Sequence, residues 1–254
     1  MDRVEKLAAS LTAENIRILP YLPYLLQDLF ELGSIPEDIA HLIEKHIPID
    51  TNFHILDLAC GKGAVSIHLA QTFGCKVVGI DLMEAFIKEA RCRAREYNVQ
   101  HLIRFEIGDI IDALEHPGNY DVVIFGSVGD ALGNPEETLK IISKPLRPGG
   151  WLLIDDCYAK EKPFSSCFPK ADWLKAFEKN GCLIIEELPV NLSRLITINR
   201  FTQTKIAQRA AELSLTYPED VKLFEGYVES QQRECNDLEG DSLVGITWLL
   251  QKNR

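Results

Sequence analysis

Ile55-Leu56-Asp57-Leu58-Ala59-Cys60-Gly61-Lys62-Gly63 is the most informative segment of the chain. A short apolar run ends on an acid, and a turn of small residues spaced by glycine follows. Residues 64–73 then carry the pattern of a helix. Glycine lets a backbone approach a ligand closely, and the free N–H groups of a helix N-terminus face whatever occupies the turn. Dinucleotide-binding folds share such a turn, so the neighbouring segments must discriminate.

Outward from this unit the chain alternates. Strands are expected at 53–58, 76–80, 102–107, 120–125 and 151–155, with helices over 64–73, 84–97 and 135–144. The almost wholly apolar run at 120–125 suits a strand buried on both faces. Leu146-Arg147-Pro148-Gly149-Gly150 reads as the turn before the fifth strand. The rhythm predicts an α/β fold, a Rossmann-like doubly wound sheet. After it come a helix at 171–180 ended by Gly181, a strand at 182–188, a mostly helical stretch at 191–241 and a strand at 243–250. No crossover helix joins these last two of the seven strands. The final strand is therefore expected to run antiparallel, inserted beside 182–188.

Upstream, residues 3–46 read as helical, punctuated by Pro20 and Pro23. Ser34-Ile35-Pro36-Glu37 and Thr216-Tyr217-Pro218-Glu219 are capping-box candidates. The division expected is an N-terminal helical cap at 1–49, a core at 50–190, a helical lid insertion at 191–241 and the last core strand at 242–254.

Composition excludes several classes. The chain has 254 residues, of which 46% are hydrophobic and 26% charged, as in soluble globular domains. No 18-residue apolar run predicts a membrane span, and the N-terminal residues lack the apolar centre of a signal peptide. A cytoplasmic location is expected. The net charge of −11 argues against nucleic acid, and the short basic run Arg91 to Arg95 reads as a solvated helix face. The seven cysteines are odd in number, form no Cys-x-x-Cys and match no zinc spacing. Reduced thiols are the expectation. The pair Asp155-Asp156 supplies too few ligands, so no metal site is expected.

These segments together resemble a class I S-adenosylmethionine-dependent methyltransferase of the small-molecule type, over roughly residues 50–190 and 243–251. The resemblance places Asp57 under the turn, near the amino-acid end of the cofactor. Ala59, Cys60, Gly61 and Gly63 form the turn; the family more often has Gly at position 59. Lys62 stands where the family has Thr or Ser, and its side chain is expected either near the methionine carboxylate or in solvent. Asp81 would accept both ribose hydroxyls, as an ionised carboxylate can, unless it serves only as a helix cap. Leu82 and Met83 would flank the adenine. Gly108, Asp109 and Ile110 would meet its edge, and Phe125, Gly126 and Ser127 would line the floor below the methyl group.

The implied reaction is an in-line displacement onto a small-molecule acceptor, with the catalytic residue unknown and a general base optional. Tyr21, Tyr24, Tyr158, Arg194, Arg200 and Tyr227 are the substrate-pocket candidates, each weighed against ordinary packing. The oligomeric state stays open between monomer and homodimer. Three other readings stay open as well. A protein or tRNA methyltransferase would dock through the insertion. A non-catalytic partner would bind the cofactor without a substrate pocket. An NAD-linked oxidoreductase would share the first βαβ unit, but the chain has no Tyr-x-x-x-Lys and no separate substrate domain.

Overall fold

A computed structural model describes residues 3–115, 118–164 and 167–253, the side chain of Arg3 excepted. The chain opens with α1 (Arg3–Ser10), a 3-10 turn over Ile16–Tyr21, α2 (Leu22–Leu25) and α3 (Pro36–His46). The alternating core follows as β1 (His54–Leu58), α4 (Ala64–Phe73), β2 (Lys76–Asp81), α5 (Glu84–Glu96), β3 (Ile103–Ile107), α6 (Ile110–Ala113), β4 (Tyr120–Gly126), α7 (Pro135–Ile142) and β5 (Leu146–Ala159). Then come α8 (Lys170–Lys179), β6 (Cys182–Pro189), α9 (Leu192–Thr216), a 3-10 turn over Pro218–Asp220, α10 (Val221–Glu239) and β7 (Leu243–Lys252).

The strands form one seven-stranded sheet in the order β3-β2-β1-β4-β5-β7-β6. β1 to β5 are parallel, and β7 runs antiparallel between β5 and β6, as the missing crossover predicts. Chain order reverses between β1 and β4, and ligands of open α/β sheets bind beyond the strand ends at such a switch. Val122 to Phe125 of β4 are at most 1% exposed, which explains the unbroken apolar run. β5 starts earlier than expected. Leu146 already pairs with Tyr120, and the Pro-Gly-Gly stretch is absorbed as a register shift before Trp151 pairs with Val122.

One apolar cluster fills the α3–α4–α5 face of the sheet and a second the α7–α8 face. A third joins the N-terminal helices to α9 and α10 through Ile18, Leu22, Leu25, Ile206, Leu213 and Phe224. The insertion is thus fastened to the N-terminal cap. Burial of these side chains carries most of that attachment, at about 1.5–3 kcal/mol each. Polar ties across the seam include Arg209 to Asp28 at 2.7 and 2.9 Å and Arg17 to Asp220 at 2.6 Å; pairs that stay partly open to solvent add about 1 kcal/mol each.

Local expectations fail in three places. Neither capping-box candidate forms. Ile35 caps α3 and Tyr217 caps the second 3-10 turn, both without a side-chain bond. The Ser34 hydroxyl instead turns to the sheet, 3.4 Å from the Ser127 hydroxyl. The thiols are not all reduced: Cys157 at the end of β5 is disulfide-bonded to Cys167, because the chain leaving β5 folds back beside it, with Ala159 accepting a bridge partner in Pro169.

Candidate active site

The site is built on the carboxyl ends of β1, β2, β4 and β5. Beyond β1 the turn is strained into shape. Ala59, Gly61 and Gly63 all have positive φ, at 56°, 53° and 79°. For Ala59 that left-handed geometry is disfavoured by its β-carbon, which accounts for glycine as the commoner choice there. Cys60 N–H donates to the Ile80 carbonyl at 3.0 Å and Gly63 N–H to the Cys60 carbonyl at 2.8 Å. α4 then begins with its first residues, Ala64 and Val65, lining a cavity of about 80 Å³ over the turn.

Two buried acids hold this arrangement. Asp57 accepts a hydrogen bond from the Ser66 hydroxyl at 2.5 Å. Burial pushes its pKa up to about 7, with the nearby Asp81 adding to the shift and Ser66 opposing it. One oxygen of Asp81 accepts from Gly61 N–H and the other from Met83 N–H, both at 2.8 Å. Burial raises Asp81 too, against these two amides. Asp81 therefore ties the turn to the start of α5 and caps it, while each oxygen keeps a lone pair for a further donor. Asp109 repeats the device for α6, accepting from Ile111 N–H at 2.8 Å. Gly108 N–H donates to the Asp81 carbonyl at 3.0 Å, so Asp81, Leu82 and Met83 lie beside Gly108, Asp109 and Ile110.

Lys62 departs from the solvated reading. Its side chain is fully buried rather than solvated, donating to the Leu26 carbonyl at 2.7 Å and pairing with Glu89 at 2.9 Å. Burial lowers its pKa, and Glu89 opposes that shift.

At the far side, Gly126 of β4 lies opposite Asp155 of β5, and Ser127 N–H donates to the Asp155 carbonyl at 2.7 Å. Ser127 has φ 55°. A β-carbon on Gly126 would stand 2.3 Å from the Ser34 oxygen, and one on Gly33 would stand 2.4 Å from the Ser127 oxygen. The loop carrying Gly33 and Ser34 therefore presses onto this floor only because both glycines are bare.

A second cavity, of about 620 Å³, opens from the same place. It shares Ser10, Leu11, Leu32, Gly33, Ser127 and Val128 with the smaller one. Its walls are the N-terminal cap, α9, α10 and the ends of β5 and β7. Leu29, Ile35, Leu195, Ile198, Ile206 and Leu243 supply apolar surface, and Asp130, Asp155, Asp156 and Glu234 supply carboxylates. Asp155 is engaged by the Thr247 hydroxyl at 2.6 Å. Asp156 accepts only the next amide, Cys157 N–H, at 2.7 Å among the described residues. Burial raises Asp156 to about 7, and Asp155, Asp130 and Glu234 push the same way against the Cys157 amide. The Cys157–Cys167 disulfide forms part of the wall.

Of the six substrate-pocket candidates, Tyr227 alone lines this chamber; it is 4% exposed, and burial lifts its hydroxyl pKa above the ordinary tyrosine value. Tyr21 is drawn away by Asp220, to which it donates at 2.9 Å, and packs edge-on against Phe224. Tyr24 points to the surface and Glu212. Arg194 pairs with Glu37 and Asp38, Arg200 is exposed on α9, and Tyr158 packs against Trp248 beneath Lys170. Single-residue chemistry could not find Asp130 and Glu234, which line the larger cavity from the loop after β4 and from α10, or Ser34, which lines the smaller one.

A switch-point turn backed by buried acids, opening into a roofed chamber, defines a protein of the nucleotide-cofactor-binding α/β class. Within that class, a family model described as a methyltransferase domain matches residues 49–212, and the chain belongs to this family. It is similar to a ubiquinone biosynthesis O-methyltransferase of Leptothrix cholodnii, 31% identical over 132 residues, covering 52% of this chain and 56% of that one. The chain spans about half the length of the curated relatives it matches. Among solved structures it resembles a SAM-dependent methyltransferase of Geobacter sulfurreducens in complex with S-adenosyl-L-homocysteine, at TM-score 0.75 and 19% identity, covering 93% of this chain and 98% of that one. A SAM-dependent methyltransferase of Thiobacillus denitrificans, also in complex with S-adenosyl-L-homocysteine, gives TM-score 0.73 at 18% identity, covering 92% of this chain and 98% of that one. Such identities establish the fold. Among the described residues no helix is long and apolar enough to cross a membrane.

Proposed function

We propose that the protein transfers a methyl group from S-adenosylmethionine to a small-molecule acceptor. The observation that carries this reading is the junction of the two cavities at Ser127 and Val128, beside the glycine turn. A donor held on the turn and an acceptor held in the chamber meet there. The residues fit the cofactor: Gly61 borders the small cavity with its bare backbone, Gly63 lets the turn pack down on Phe105, and the Asp81 lone pairs suit the ribose hydroxyls. Asp57 underlies the turn on the amino-acid side, while Leu82, Met83, Asp109 and Ile110 border the adenine side. Gly126 and Ser127, with Phe125 behind them, form the floor. When bound, the cofactor supplies an electrophilic methyl group on a sulfonium.

The chain's own part is to position and to dry. Leu29, Ile35, Ile198 and Ile206 give the chamber apolar walls, and aligning two reactants can supply about 7–11 kcal/mol of a barrier. Asp156, with its pKa near neutrality, is suited to take a proton from an acceptor hydroxyl or amine. The carboxylates disfavour an anionic acceptor, and the roof formed by the helices of 3–46 and 191–241 leaves a chamber sized for a metabolite. Relatives named as O-methyltransferases favour oxygen as the acceptor atom. The test is transfer of isotopic methyl from S-adenosylmethionine into a low-molecular-mass metabolite extract. Label in a small product that disappears with Asp81→Ala supports the reading. Label only in protein or tRNA, or none at all, contradicts it.

A further inference from the structure

We propose that Lys62 is a positioning residue that couples occupancy of the glycine turn to the seating of the N-terminal cap; this rests on the cofactor reading above. The residue sits inside the turn, yet its side chain runs away from solvent and has no exposed surface. Its ammonium donates to the carbonyl of Leu26, the residue that caps α2, at 2.7 Å. It pairs with Glu89 on α5 at 2.9 Å. Glu89 is gripped in turn by Arg93, whose Nε and terminal nitrogen lie 2.9 and 2.7 Å from the same carboxylate oxygen. The Arg93 guanidinium lies over the Phe30 ring at 4.3 Å, and Phe30 stacks on Tyr97 at the end of α5.

Two points of the cap, the Leu26 carbonyl and the Phe30 ring, are therefore joined to the turn and to α5 by one chain of charges. Both ends of that chain, Phe30 and Lys62, line the small cavity over the turn. Leu32 adds an apolar contact, its Cδ1 lying 3.2 Å from where a Gly61 β-carbon would stand.

A buried ammonium is costly unless neutralised and hydrogen-bonded. Glu89 supplies the charge wherever the cap is, but the Leu26 carbonyl is in reach only when the cap is seated. Lys62 is thus best satisfied in one register of turn and cap. A ligand that orders the turn fixes Lys62 and so favours the seated cap; by linkage, a seated cap favours the ligand by the same factor. A Thr or Ser at this position is too short to span the gap, so the coupling belongs to this chain's lysine.

Hydrogen exchange with and without S-adenosylhomocysteine reads this directly. In the wild type the ligand should slow exchange both at the turn, 59–66, and across the cap segment 22–35. Lys62→Met keeps the length of the side chain and removes its charge and donors. It should bind about tenfold more weakly and keep ligand-induced protection at 59–66 while losing it at 22–35. Arg93→Gln, at a part-exposed helix position, should lose the Phe30 arm and show partial loss of cap protection; it serves if Lys62→Met fails to fold. Undiminished cap protection in the folded variants, or none in the ligand-bound wild type, overturns the coupling alone. A wild type that binds no S-adenosylhomocysteine overturns the cofactor reading, and the coupling with it.

Discussion

Replacing Gly63 with alanine tests whether the turn is shaped as described. Gly63 has φ +79°, and a β-carbon there would stand 2.5 and 2.8 Å from Cζ and Cε1 of Phe105 and 3.1 Å from Cβ of Ala90. The Phe105 ring cannot simply retreat. It is buried in the α4–α5 cluster, and it already sits 2.8 Å from where a Gly79 β-carbon would be. The left-handed backbone costs a β-carbon about 1–2 kcal/mol, and overpacking a filled core about 1–3 kcal/mol. The sum, about 2–5 kcal/mol, is a large part of the 5–15 kcal/mol typical of a folded domain. Gly226→Ala is the control. It lies inside α10 with nothing within 4 Å of its β-carbon position, so alanine should gain about 0.5–1 kcal/mol of helix propensity. Urea unfolding followed by circular dichroism, with a common slope, gives both differences. The two substitutions should move the midpoint in opposite directions. A Gly63→Ala protein within about 0.5 kcal/mol of wild type would refute the close approach of turn, β3 and α5.

Asp156 is held near 7 in the folded chain, above the ~4 of an unfolded carboxyl. The native state then binds the extra proton between those values, so this group's contribution to stability is lost as pH rises through 7. Asp156→Asn should therefore gain stability relative to wild type on going from pH 5 to pH 8 in paired denaturation curves; a constant difference would remove Asp156 from the titrating groups. Thiol titration of the denatured, unreduced protein should find the five free cysteines, and seven would exclude the Cys157–Cys167 bridge. Asp81→Ala should weaken S-adenosylhomocysteine binding by about 10–100-fold, as expected for lost hydrogen bonds to a charged group, while the surface change Asp241→Ala leaves it unaltered. Equal affinities in calorimetry would leave Asp81 as a helix cap only.

The parts of this fold legible in the sequence are those set by short-range rules. An apolar run closed by an acid, then Gly61 and Gly63, announces a strand and a close turn within nine residues, with a helix to follow. The missing crossover before 243–250 announces the antiparallel β7. Ser34 and Thr216 misled because capping competes with other partners: the Ser34 hydroxyl meets that of Ser127 beyond the end of β4, and the Thr216 hydroxyl donates back to the Glu212 carbonyl of the helix it ends. The aromatic and basic candidates in the cap and insertion misled for a related reason. Tyr21, Tyr24 and Arg194 each meet a carboxylate of the facing segment, and such pairings join residues more than 150 positions apart. Lys62 was legible as a departure from the family pattern, but its destination depended on where Leu26 and Glu89 would come to lie.

Isothermal titration of S-adenosylhomocysteine, with NAD as comparison, decides whether the glycine turn holds this cofactor. One site per chain is expected, with affinity in the micromolar range, about −8 kcal/mol, and no heat with NAD. Binding of NAD, or no binding of S-adenosylhomocysteine to the folded wild type, would contradict it.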